Sequence, residues 1–274
     1  MQPNSRVTQS PGSFEDEQSA ALFLLRESTG LLTENCVNFV VVGGWAPFLF
    51  HRHRFGHPGT FDVDVLLESI SLDNGTFSRA TDAMLSAGYL RAAKNDFQAH
   101  RILRVRNEEI IFHVDFLNDQ HPGNAIELVS GNGRVRSIYT PVMEAILKYG
   151  QFRFAPDTAL PDVRFPSPQT FIASKAAATR VAKRTRDAFD VFITIADQDS
   201  SSFDQHWDTL VKTDGLFQDA NDDLWEAVHH GDAVEKILAV LTQLCVSPLP
   251  TPGAIETKFQ FLQQPADRKQ APSR

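Results

Sequence analysis

The chain has 274 residues, 42% hydrophobic and 22% charged, the composition of an ordinary globular protein with room for one large domain or two modest ones. No apolar run approaches the roughly 20 residues of a bilayer-crossing helix, and the polar start of the chain lacks the apolar stretch of a secretory signal, so a cytoplasmic protein with no membrane span is expected. A net charge of −8 weighs against a surface that coats nucleic acid all over, while leaving room for a local basic groove.

Residues 1–13 and 263–274, rich in Pro, Ser, Gln and charge, read as flexible tails. From Phe14 to Asn35 the apolar residues Ala21, Leu22, Leu24, Leu25, Leu31 and Leu32 predict a helix. Cys36 and Cys245 are the only cysteines; neither sits in a CxxC pair, so both are expected as reduced, buried thiols and not as zinc ligands. Val37 to Val42 is a β-branched run, expected as a buried strand that Gly43-Gly44 stops. Trp45 to His53 follows as a helix with Pro47 in its first turn, and most of His51 to Gly59 reads as a polar loop carrying surface histidines.

Thr60 to Leu67 is a second strand and Thr76 to Gly88 a helix. Ala99 to Val105 and Glu109 to Leu117 form a hairpin through Arg106-Asn107-Glu108. The Gly- and Pro-rich stretch 118–165 yields one element, a helix over Thr140 to Tyr149. After Pro166-Ser167-Pro168 the chain turns helical: Gln169–Lys183, Arg186–Ala196, Phe203–Lys212, Asn221–His229 and Asp232–Cys245. The fold class is therefore α+β, a mixed sheet flanked by helices over 14–165 followed by a helical domain over 166–262.

Asp62 and Asp64 stand at i and i+2 of a strand, which turns both carboxylates to one face while Val63 and Val65 face a core. Like charges on so apolar a strand repel unless a cation lies between them, and hard Mg²⁺ or Mn²⁺ prefers carboxylate oxygens. Asp115 lies on another apolar strand; if the two strands are neighbours, its carboxylate joins the pair and the three suit metal-assisted phosphoryl transfer. His113 precedes Asp115 by two residues and shares its face, either as a substrate contact or as a partly buried structural group. Glycines at a strand-to-helix turn let backbone N–H groups approach phosphate, so Gly43-Gly44 is the candidate phosphate turn.

The order strand, Gly-Gly, helix, Asp-x-Asp strand, later Asp strand resembles the polymerase-β-like nucleotidyltransferase superfamily. Val41-Val42-Gly43-Gly44-Trp45-Ala46 with Thr60-Phe61-Asp62-Val63-Asp64 is similar to its bacterial GG-type branch, which includes AbiEii-type toxins and minimal nucleotidyltransferases. Phe171-Ile172-Ala173-Ser174-Lys175, Arg180 and Arg186-Asp187-Ala188-Phe189-Asp190 resemble the helical part of the AbiEii pattern. The chain departs from the superfamily in having Gly44 where many members have Ser, and Pro58-Gly59 where GG members often have Arg.

The resemblance implies a metal-dependent enzyme, with Mg²⁺ or Mn²⁺, that moves a nucleoside monophosphate from a nucleoside triphosphate to a hydroxyl acceptor, an RNA end or a protein. It implies that Gly43 and Gly44 contact phosphate and that Asp62 and Asp64 bind metal, with Asp115 as third ligand or general base. It further implies that Lys175 meets the triphosphate, that Asp187 or Asp190 orients it or the acceptor, and that an antitoxin partner exists. A non-catalytic nucleotide-binding regulatory module and an aminoglycoside-type nucleotidyltransferase are the alternative functions.

Overall fold

In the computed structural model the described residues are 12–69, 75–119, 129–130, 133–134, 137–139, 141–149, 152–154, 160 and 163–265. Of the tails expected at 1–13 and 263–274, residues 1–11 and 266–274 lie outside them, as does most of the stretch 120–162. In chain order the elements are α1 (Glu17–Glu34), β1 (Phe39–Val42), α2 (Trp45–Phe55), β2 (Val63–Leu67), α3 (Thr76–Ser86), β3 (Leu90–Arg91), β4 (Gln98–Val105) and β5 (Glu108–Asn118). There follow β6 (Val129–Ser130), β7 (Gly133–Arg134), β8 (Ile138–Tyr139), α4 (Pro141–Tyr149), β9 (Phe152–Phe154) and β10 (Arg164–Pro166). The rest is helical: α5 (Pro168–Thr179), α6 (Thr185–Ala196), α7 (Ser200–Thr213), α8 (Gly215–His229), α9 (Ala233–Gln243) and the short α10 (Pro252–Glu256). The α+β class expected from the sequence is the class observed, and no helix among the described residues is long and apolar enough to cross a membrane.

Two compact units divide the chain. The first holds residues up to Trp45, Gly59–Leu147 and Phe154–Phe165; the second holds Ala46–Pro58, Lys148–Arg153 and everything from Pro166 on.

In the first unit the sheet runs β1-β2-β5-β4-β3. β1 is antiparallel to β2, β2 parallel to β5, and β4 antiparallel to β5, while β8 pairs with β5 at Leu117 and Asn118. Arg106 and Asn107 turn the β4–β5 hairpin with φ of 49° and 83°, the left-handed pair that matches the twist of the flanking strands. Alternation then sorts β5 into two faces: Phe112, Val114 and Phe116 are buried, while Ile111, His113, Asp115 and Leu117 are less so.

Helices α1 and α3 cover the buried face. Phe77 of α3 meets Phe116 edge-on at 5.2 Å, and Glu27 of α1 lies 3.0 Å from Arg101, the cross-strand partner of Phe112. Burial pushes the Glu27 carboxyl up and the Arg101 charge draws it back. Asp16 caps α1 by accepting from the Ser19 N–H at 2.6 Å.

The second unit is built around aromatic packing. Trp207 meets Phe217 at 5.7 Å and Phe261 at 5.4 Å, both nearly edge-on. Ser167 caps α5 and Pro168 occupies its first turn, where a missing N–H costs nothing. Lys236 is buried and donates to the carbonyls of Thr179 (2.8 Å) and Val181 (3.1 Å), which satisfies the frayed end of α5. Gln263, expected at the start of a tail, is held by the Asn221 side-chain amide, which donates to its carbonyl at 2.8 Å and accepts from its N–H at 3.0 Å.

Two expectations are corrected here. Both cysteines are free but exposed, because each sits just past a helix end with a φ near 55–58°, a turn position that lies at the surface. Helix α2 runs on to Phe55, through most of the stretch expected as a loop, and two of its three neighbouring histidines are buried. His51 donates to Asp197 at 2.9 Å and accepts from Arg153 at 3.3 Å, while His57 donates to Asp190 at 3.0 Å and packs edge-on to Phe48. Only His53 is a surface group, with a side chain 67% exposed.

Candidate functional site

The register of the sheet sets the site. Val42 pairs with Asp64 across β1–β2, and Asp64 pairs with Asp115 across β2–β5. Residues in register on neighbouring strands turn their side chains to the same face, with strands about 4.8 Å apart. Asp64 and Asp115 therefore share the face opposite α1 and α3, while Val63, Val65, Val114 and Phe116 serve the core.

Gly43, which follows β1 directly, abuts Asp64. Its φ is +73°, and a Cβ there would stand 2.0 Å from the Asp64 Oδ2. The glycine is thus required twice, for a left-handed backbone and for room beside the carboxylate. Gly44 is buried in the same turn, and α2 starts at the next residue.

Asp62 departs from the expectation of two carboxylates side by side on one strand. β2 begins at Val63, so Asp62 precedes it, exposed, and its carbonyl accepts from the Trp45 Nε1 at 2.9 Å. Gln18 steadies the same approach by accepting from the Thr60 N–H at 3.0 Å. The Asp62 charge nevertheless reaches Asp115. Burial holds the Asp115 carboxyl above the usual range and Asp62 adds to this, while a hydrogen bond from Gln98 and the nearby His113 oppose it.

Gln98 donates from Nε2 to the Asp115 Oδ1 at 2.7 Å. Sequence reading passes over Gln98, because only the pairing Gln98↔Asp115 reveals it as the partner that aims the carboxylate. His113 lies on the same face, opposite His100, with ring centroids 6.2 Å apart.

Hard oxygens on adjacent strands, with a third negative charge felt at one of them, match the donor chemistry of a divalent cation such as Mg²⁺ or Mn²⁺. Among the described residues no group of three or more His, Cys, Asp or Glu is disposed to hold a metal. What the geometry offers a cation is the Asp64–Asp115 pair, with Asp62 beside it.

The helical residues singled out in the sequence occupy the second unit, each with a partner there. Lys175 donates to the Asp187 Oδ1 at 2.7 Å, and Arg184 donates to the other oxygen at 2.5 Å. Asp187 and Asp190 are both buried on α6; Asp190 pairs with His57, and Arg186 lies 4.0 Å away. Arg180 of the basic stretch pairs with Asp223 at 2.7 Å.

No family model matches the chain, and no curated protein does. Among solved structures it is similar to an antigenic nucleotidyltransferase-like protein from Paracoccidioides brasiliensis, at 15% identity and a TM-score of 0.35, over 77% of this chain and 94% of that one. It is also similar to the antibiotic-resistance factor ANT(2'')-Ia, at 12% identity and a TM-score of 0.38, over 71% of this chain and 97% of that one. Both likenesses are distant.

Proposed function

We propose that the chain is a nucleotidyltransferase that moves a nucleoside monophosphate from a nucleoside triphosphate to a hydroxyl acceptor. The observation that carries this reading is the in-register pair Asp64 and Asp115, with the Gly43 backbone set against the Asp64 carboxylate. Backbone N–H groups of Gly43 and Gly44 would approach the phosphates. Asp64 and Asp115, with Asp62 beside them, would hold Mg²⁺ or Mn²⁺, which supplies charge neutralisation to a bound triphosphate.

In the step itself the acceptor oxygen bonds to the α-phosphorus as the bond to pyrophosphate breaks, and the hydroxyl proton passes to the Asp115 carboxylate. For the helical unit taken alone we propose that Lys175 contacts phosphate, with Asp187 orienting its ammonium and paired also with Arg184. The buried Asp190 is engaged by His57, which suits it to bracing α6. On the sequence pattern we further propose an AbiEii-like toxin with an antitoxin partner and an RNA or protein acceptor.

The test is incubation with each α-labelled nucleoside triphosphate, Mg²⁺ and total cell lysate. Label should enter RNA, protein or a small-molecule fraction with the wild-type chain and be lost with Asp64→Ala. Equal labelling by Asp64→Ala, or none by the wild type under any triphosphate, would sink the proposal.

A further inference from the structure

On the face that carries Asp64 and Asp115, strands β4 and β5 present three successive cross-strand pairs: Gln98/Asp115, His100/His113 and Ile102/Ile111. The ladder passes from acid through imidazole to aliphatic. Its far end is open, since Ile102 is 44% exposed and Ile111 53%. Two exposed isoleucines opposite each other form a small apolar platform, continuous through His113 with the carboxylate proposed as base.

His113 is the polar group between them. Its Nδ1 is enclosed and has no hydrogen-bond partner. Its Nε2 bonds to none of the described residues and is not among the enclosed atoms, so it reaches the open face. An enclosed N–H without an acceptor costs more than a bare lone pair, so Nε2 is the ring nitrogen placed to donate. That places an uncommitted N–H donor two residues from Asp115, on its face. His100, edge-on at 62° across the strands, holds the ring in place.

Resting on the reading of the site as a nucleotidyltransferase, we propose that His113 donates from Nε2 to the acceptor's hydroxyl oxygen and holds it beside Asp115, while Ile102 and Ile111 bed an apolar face of the same acceptor. The acceptor oxygen then accepts one hydrogen bond, gives its own proton to Asp115, and keeps a lone pair for phosphorus. The substrate class is a hydroxyl whose carrier presents an uncharged, apolar or ring-bearing surface next to it.

The experiment uses the full chain with Mg²⁺ and the α-labelled triphosphate it uses best. Total RNA, total protein and a set of aminoglycosides serve as three acceptor arms. In the arm that the wild type labels, His113→Ala should lower kcat/KM for the acceptor about tenfold, the loss of one hydrogen bond, and leave the triphosphate KM unchanged. His113→Gln, whose amide N–H₂ falls near Nε2, should recover most of that loss, and His113→Asn, whose amide falls near Nδ1, should not. Ile111→Ser, a surface change that leaves the core alone, should raise the acceptor KM and not that of the triphosphate. The inference is overturned if His113→Ala matches the wild type, if it raises the triphosphate KM instead, or if Asn rescues as well as Gln. Absence of label with the wild type in every arm defeats the underlying activity, and this inference with it. Loss confined to the His113 variants' folding, seen as a shifted melting temperature in His113→Gln as well, overturns it too.

Discussion

Replacing Gly43 by Ala separates two demands that the turn makes on one residue. The φ of +73° costs an L-residue on the order of 1–2 kcal/mol whatever surrounds it. The added Cβ would also stand 2.0 Å from Oδ2 and 3.0 Å from Cγ of Asp64, so the carboxylate must leave its place. Forcing that side chain off its preferred rotamer adds about 0.5–1.5 kcal/mol. Gly43→Ala should therefore lose about 2–3 kcal/mol of stability in urea denaturation and, by moving Asp64, most of the transferase activity. In an Asp64→Ala background the clash is gone, because the nearest remaining atom, the Cβ of residue 64, is 3.4 Å away, an ordinary contact. There the same substitution should cost only the backbone part, leaving a coupling of about 1 kcal/mol in a double-mutant cycle. Equal losses in the two backgrounds would show that Gly43 answers to backbone conformation alone and that the approach to Asp64 is not tight.

Two predictions concern pH. The Asp115 carboxyl has a raised folded-state pKa, so its protonated form favours the folded chain and that favour is lost as pH rises through the raised value. Asp115→Asn should thus be more stable than wild type at neutral pH, with the gap closing below about pH 4 in paired urea titrations, and a gap independent of pH would refute the assignment. His51 runs the other way. Burial lowers it from an ordinary 6.5 to about 4, so the neutral ring stabilises the fold above pH 6.5, and this is lost as pH falls toward 4. The loss is on the order of 3 kcal/mol, and His51→Asn, which keeps a donor for Asp197 but does not titrate, should flatten that limb of the stability profile.

The parts of the site that could be read from the chain are those whose cause is local. Gly43-Gly44 ends a β-branched run, and Asp64 interrupts an apolar strand between Val63 and Val65, so both stand out within a few residues. Asp115 stands out equally, but its membership depends on β5 lying parallel to β2 in the one register that pairs it with Asp64. A shift by one residue would send it to the α1–α3 face instead. Gln98 is legible only after the hairpin is closed, since nothing in its own surroundings marks it. The expectation for Asp62 failed at an element boundary. The strand starts at Val63, three residues later than the Thr60 expected, and the Asp62 carbonyl is taken by the Trp45 indole and not by a ladder partner.

The segment after the glycine pair misled for a deeper reason. Read by itself, His51-Arg52-His53-Arg54-Phe55-Gly56-His57-Pro58-Gly59 is polar, basic and rich in turn residues, and a loop is the natural expectation. Its structure is decided by acids 146 and 133 residues further on, Asp197 for His51 and Asp190 for His57. A histidine costs little to bury when its N–H meets a carboxylate and its ring meets phenylalanines, as the His57 ring does with Phe48 and Phe189. Helix α2 can therefore turn polar residues inward, which inverts the rule that makes hydrophobic periodicity informative. The same pairing explains Asp190, which the sequence pattern offers as a ligand-orienting group. A carboxylate only 2% exposed and bonded to an equally buried histidine is tied into the packing of α6.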